Sequence, residues 1–287
     1  MNKTTFTNNL KKFITSSTCA FTCISTIEER LKKKNFQKLN EEDNWKLNEG
    51  LFYITRNDAS LVAFKIPKNY KEKFLIITSH CDTPSLLLKP SGNHIKDNYL
   101  KYNIMPYGGL LNYGWLDHPL SLAGRIIIEK KDKIEKRIVD FKKPMAIVPS
   151  VAIHLNDKAN TNLDLNAQTD LQPIFAITDK EDSWSHLLEE TLKPQEKLMD
   201  YELFLYNSLN PQTIGLKQDL LLSPRIDNIT SVYSSLESFL ETNGNNILVF
   251  CSFNNEEIGS LTREGADSNF LLDTLKRIAA SLEIEIA

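Results

Sequence analysis

Three short segments carry residue types suited to metal-assisted hydrolysis. His80-Cys81-Asp82 directly follows an apolar run ending at Ser79. In extended backbone successive side chains alternate, so His80 and Asp82 share a face and Cys81 points away. A carboxylate two residues from an imidazole can accept its second N–H and fix the tautomer for ligating a metal, although His-x-Asp also arises by chance. Asn254-Asn255-Glu256-Glu257 follows a second apolar run. Adjacent acids there are either a solvated loop or a pair that divides labour, one binding a metal and one acting as general base on water. Ser223-Pro224-Arg225-Ile226-Asp227-Asn228 opens a predicted helix. Asp227 either caps that helix or bridges two metal ions with its two oxygens. His154, within Val151-Ala152-Ile153-His154-Leu155, is either a hydrogen-bonded core residue or a ligand. His94, His118 and His186 have no supporting neighbours. The G-x-S-x-G serine elbow is absent, as are a phosphate loop and a dinucleotide fingerprint.

The elements that must position these residues are legible in outline. Apolar runs at 74–78, 124–129, 145–148 and 247–253 predict strands, read as buried on both faces. Apolar spacing predicts helices over 9–33, 225–241 and 268–283. The helix–strand–helix order from 225 onward argues for an α/β layer. In such sheets ligands bind beyond the carboxyl ends of strands, where both 80–82 and 254–257 stand. From about 93 to 220 the chain is rich in turns, with Gly108-Gly109, a polar stretch over 156–171 and one helix near 183–192. The expected organisation is therefore a catalytic α/β domain in two parts, 1–92 and 221–287, around an inserted β-rich domain, 93–220.

Composition removes several function classes. The chain has 287 residues, 41% hydrophobic and 25% charged, enough for a folded core. Lys+Arg 34 against Asp+Glu 37 leaves a net charge of −3, with no global footprint for nucleic acid. The sequence holds no apolar run long enough for a membrane helix. Lys3, Lys11 and Lys12 precede a semi-apolar stretch, but Thr15, Ser16, Ser17 and Thr18 interrupt it, which favours a helix over a secretion signal. Cys19, Cys23, Cys81 and Cys251 lack a disulfide framework, and reduced cysteines fit a cytoplasmic protein.

Taken in order, the segments SHCDTPSLLLKP (79–90), YGGLLNYGWLDHPLSLAGR (107–125), VPSVAIHLN (148–156), LFLYN (203–207), LLSPRIDN (221–228) and FNNEEIGSLTREGADSNFLLDTL (253–275) resemble the aspartyl aminopeptidase family. This is metallopeptidase family 18, which includes vacuolar aminopeptidases. The resemblance implies an α/β/α zinc-exopeptidase fold interrupted by a dimerisation domain, and a homo-oligomer built from dimers. It implies two zinc ions, with His80 on one, Glu257 on the other and Asp227 bridging them. Glu256 becomes the general base, and Asp82 orients His80. His154 matches a family histidine that binds metal or reaches a neighbouring subunit's site; its place in the inserted domain favours substrate contact across a dimer. A shared centre requires the donor atoms of His80, Asp227 and Glu257 to lie within about 8 Å of one another. The implied reaction removes an acidic or neutral N-terminal residue from a peptide. The alternatives are a truncated homologue kept as an assembly subunit, or a related dinuclear amidohydrolase acting on acyl-amino acids.

Two departures from the family pattern bear on these expectations. His118 stands where the family usually has Arg. The family motif beyond the last helix, which supplies an Asp and a later His, does not occur within these 287 residues, so three of five metal-ligand residues are present. The sequence therefore predicts a fragment of a longer enzyme or a truncated, inactive product, with an open sheet edge.

Overall fold

The computed structural model describes residues 2–180 and 187–285. Two helices come first, α1 (Lys3–Ser16) and α2 (Ala20–Lys33). Strands β1 (Gln37–Lys38), β2 (Gly50–Arg56), β3 (Ser60–Ile66) and β4 (Lys71–His80) follow. Next come β5 (Ser85–Lys96), β6 (Tyr99–Tyr107), β7 (Leu120–Lys130), β8 (Lys133–Asp140), β9 (Ile174–Ile177) and β10 (Glu196–Asn207). The chain closes with β11 (Gln212–Ile214), β12 (Leu220–Leu222), α3 (Ile226–Glu241), β13 (Asn246–Phe253) and α4 (Phe270–Ser281). It divides into two compact units, Met1–Thr83 with Pro211–Ala287, and Pro84–Asn210. These divisions differ from the 92/93 and 220/221 boundaries read from sequence. At the first, the polar residues 91–93 lie within β5, at a shift in its register with β6, and do not end the strand.

The first unit is built on a mixed sheet of order β1-β2-β3-β13-β4. Strand periodicity sorts its side chains onto two faces. Leu61 and Ala63 of β3, with Leu248 and Phe250 of β13, pack with α1, α2 and α3 through Phe13, Ile27, Val232 and Leu236. Val62, Phe64, Val249 and Cys251, one residue out of phase, pack on the other face with Phe270 and Ile278 of α4. Helices thus cover both faces, as the α/β/α reading expects. The β2–β3 hairpin turns through Asn57 and Asp58, both in the left-handed region (φ 52° and 58°) that Asn and Asp tolerate. That turn pair is the sequence signal for two strands the apolar runs do not reveal.

Three element readings need correction. The helix expected over 9–33 is two helices. The Ser17 N–H bonds to the Ile14 carbonyl at 3.2 Å, ending α1. Thr22 Oγ1 then accepts the N–H groups of Thr18 and Cys19 at 2.8 and 2.9 Å, starting α2. Cys19 and Cys23 are both buried there. The run at 74–78 is not buried on both faces. β4 pairs with β13 on one side and with no other strand among the described residues, so Leu75, Ile76 and Ile77 are exposed. The run at 145–148 forms only isolated bridges, because Pro144 and Pro149 flank it and cannot donate to a ladder.

The second unit is a sheet of order β8-β7-β10-β5-β6-β9, antiparallel at every pairing. Its core gathers Leu86, Tyr102, Ile104, Leu122, Ile126, Leu203 and Leu205. At Gly124 a Cβ would lie 1.9 Å from the Glu202 carbonyl oxygen of the paired strand, so only glycine allows β7 this close to β10. The polar stretch 156–171 is mostly loop, with a helical turn at Ala167–Asp170. Of the helix expected near 183–192, residues 187–189 are helical. Residues 183–186, His186 included, lie outside the described residues.

Candidate metal centre

Parallel pairing of β4 with β13 sets His80 opposite Phe253. The next residues of both strands therefore emerge side by side at their carboxyl ends. A hydrogen bond from the Cys81 N–H to the Phe253 carbonyl, 2.8 Å, continues the pairing one residue further. Beyond it β13 turns through Asn255, in the left-handed region, into a single 3₁₀ turn, Glu256–Ile258. Gly259 (φ 98°) leaves that turn, so both glutamates project from a tight reversal directly after a buried strand.

His80 Nε2 lies 3.3 Å from Asp227 Oδ1 and 3.7 Å from Glu256 Oε2. Donor atoms of His80, Glu256 and Glu257 all fall within 4.8 Å of one another. On the other side of the ring, His80 Nδ1 is 3.3 Å from Asp82 Oδ1. A proton on Nδ1, donated to the Asp82 backbone carbonyl at 3.2 Å, leaves the Nε2 lone pair facing the acidic side chains. The Asp82 side chain is only 2% exposed, and its other oxygen accepts the Glu257 backbone N–H at 3.1 Å. This one buried carboxylate thus touches both halves of the cluster. Burial depresses the His80 pKa, but Asp82, Glu256 and Asp227 together outweigh it and the net displacement is upward. Acidic groups crowd this ring, as expected of a site that a cation would complete.

Asp227 does not cap α3. The N-cap position is Arg225, in the left-handed region, and no side chain caps the helix there. Asp227 itself is extended (φ −81°, ψ 115°), its peptide bond to Asn228 is cis, and its side chain is 78% exposed. The Arg225 guanidinium donates to the carbonyls of Ser17 (3.1 Å) and Ile14 (3.2 Å), tying this turn to the end of α1. The sequence assigns Arg225 no role, and its only signal was standing two residues before a candidate ligand. An imidazole nitrogen with carboxylates gathered around it is a donor set that fits zinc. His154 lies in the second unit, exposed on the 3₁₀ turn Ile153–Leu155, and so is not a core residue.

Comparison with known proteins gives a consistent picture. A family model described as "Aminopeptidase I zinc metalloprotease (M18)" matches residues 13–285. A probable M18 family aminopeptidase 2 from Clostridium novyi is 36% identical over 98% of this chain and 68% of its own length. A solved chain from the cryo-EM structure of the Ape4 and Nbr1 complex superposes with a TM-score of 0.90 at 27% identity, over 98% of this chain and 61% of that one. The S. cerevisiae mApe1 dodecamer matches with a TM-score of 0.78 at 26% identity, over 96% of this chain and 66% of its own. The chain thus spans about two thirds of the length of these relatives. With a family model covering nearly all of its residues, this chain belongs to the M18 family of aminopeptidase I zinc metalloproteases.

Proposed function

We propose that these residues form the dinuclear zinc site of an aminopeptidase that hydrolyses the first peptide bond of a peptide with a free N-terminus. The observation that carries this reading is the convergence of His80, Asp227, Glu256 and Glu257 where β4 and β13 end and α3 begins. His80 and Glu257 would each hold one ion and Asp227 would bridge the two. Zinc bound there supplies Lewis-acid polarisation of the scissile carbonyl and makes water a stronger acid. Glu256, 55% exposed at the mouth of the cluster, takes the proton of the attacking water and returns it to the leaving amine. Asp82 holds the His80 ring and the Glu257 backbone in register.

We assign the β-rich unit to pairing between copies. Exposed Val151, Ile153 and Leu155 surround His154, as suits a surface covered in an assembly. The dodecameric mApe1 relative supports a homo-oligomer. His154 would then contact substrate in a neighbouring subunit. The four free, buried thiols support a cytoplasmic setting, and no helix among the described residues is long and apolar enough to cross a membrane. The test is a panel of aminoacyl-anilides, acidic and neutral, beside acyl-amino acids, assayed before and after chelation and zinc return. Zinc-dependent release from the anilides supports the aminopeptidase. Release only from acyl-amino acids replaces it with the amidohydrolase, and no release from either by a version carrying the full metal-ligand set favours a binding subunit.

A further inference from the structure

We infer that Ser60 and Thr262 are positioning residues for the two glutamates, a role that rests on the metal-site reading above. The loop bearing Glu256 and Glu257 leaves β13 at Asn254 and returns toward β3 at Glu264, and one buried hydroxyl holds both ends. Ser60 Oγ accepts the Asn254 N–H at 2.8 Å and donates to the Glu264 carbonyl at 2.6 Å. Ser60 is fully buried, so no water replaces either bond. Beside it, Asn57 Nδ2 donates to Glu264 Oε1 at 2.7 Å.

A second clasp closes the loop from within. Thr262 Oγ1 donates to Asn255 Oδ1 at 2.7 Å and accepts the Gly265 N–H at 3.1 Å. The Asn255 carbonyl accepts the Ser260 N–H at 2.7 Å. Gly265 passes so close to Ser260 that a Cβ would lie 2.0 Å from its carbonyl oxygen. Asn255, the residue Thr262 holds, is the left-handed pivot directly before Glu256. Glu256 is more than half exposed, so packing around its side chain does not fix its position. The backbone beneath must, and these two hydroxyls set that backbone. Removing groups bonded directly to metal ligands typically costs about 10–100-fold in metal affinity; these hydroxyls act one step further out, through the backbone that carries the glutamates.

The experiment compares wild type, Ser60→Ala, Thr262→Val, Thr262→Ser and His80→Ala, each shown to be folded by circular dichroism. Binding of cobalt(II) alone is followed by absorption, and amide exchange is followed over the peptide 254–265. Ser60→Ala and Thr262→Val should weaken cobalt binding about tenfold or more and speed exchange across the loop. Thr262→Ser, which keeps the hydroxyl, should restore both. Thr262 is only partly buried, so its Val variant should fold even where Ser60→Ala does not. Folded Thr262→Val with wild-type cobalt affinity and exchange overturns the positioning role. Cobalt binding that His80→Ala leaves unchanged overturns the metal-site reading instead, while faster loop exchange would still report the clasp.

Discussion

At the scale of single residues, Glu256 and Glu257 are chemically alike and both lie within 4.8 Å of His80, yet the proposed mechanism gives them different work. In a full-length version of the enzyme, Glu256→Gln should lower turnover about 10²–10⁴-fold while metal binding persists, because an amide cannot take a proton from water but preserves shape. Steady-state rates beside a metal titration separate the two roles; metal lost together with activity would make Glu256 a ligand. Arg225 presents a different case. Its two hydrogen bonds to the end of α1 are charge-assisted. Arg225→Met should cost about 1.5–3 kcal/mol in urea unfolding, since buried carbonyls lose a cationic donor. It should also weaken metal binding, because the turn bearing Asp227 loses its tie.

At the scale of elements, β4 and β10 make the clearest claims. β4 is an edge strand among the described residues and exposes Leu75, Ile76 and Ile77. Unpaired backbone beside apolar side chains invites strand pairing with other chains. Ile76→Lys should therefore raise the concentration at which this 287-residue chain aggregates, read by light scattering. On β10, Glu196 accepts a hydrogen bond from Arg137 at 2.7 Å, and its second oxygen accepts the Lys193 N–H. Arg137 first, then the backbone donor, hold the Glu196 pKa down to about 2 from an ordinary 4.5. A depressed carboxylate stabilises the fold fully above its unfolded value, and that contribution disappears as pH falls from 4.5 toward 2. Glu196→Gln should flatten this part of the acid-unfolding curve, followed by fluorescence between those limits.

For the whole molecule, zinc should couple to folding because its ligands come from separated stretches of chain. His80, Asp227 and Glu257 meet only when β4, α3 and β13 are in place. A metal bound by the folded chain alone stabilises it by about 2.7 kcal/mol at a hundredfold excess over its dissociation constant. Zinc should therefore raise the melting temperature of wild type, a chelator should reverse the rise, and His80→Ala should show neither effect. Differential scanning calorimetry reads all three. Zinc that raises the melting temperature of His80→Ala equally would place the stabilising metal elsewhere.

The chemistry-bearing segments and the family resemblance were legible in the sequence, because ligand types and their immediate neighbours are local properties of the chain. The sequence also identified β13 and the apolar stripe of α3, where one run or one helical face suffices. Burial of β4 was beyond it, since an Ile-rich run looks the same at an edge as in the middle of a sheet, and only strand order distinguishes them. The break between α1 and α2 escaped the apolar pattern because it depends on one Thr22 hydroxyl collecting two backbone donors. Asp227 had two open readings from sequence, cap or bridge. Tertiary structure decided against the cap, because Arg225 takes the N-cap position and its side chain reaches the end of α1. Ser60 carries no local signal at all. A lone serine gains its place only when β3 lies beside β13 and one hydroxyl meets two points of a distant loop.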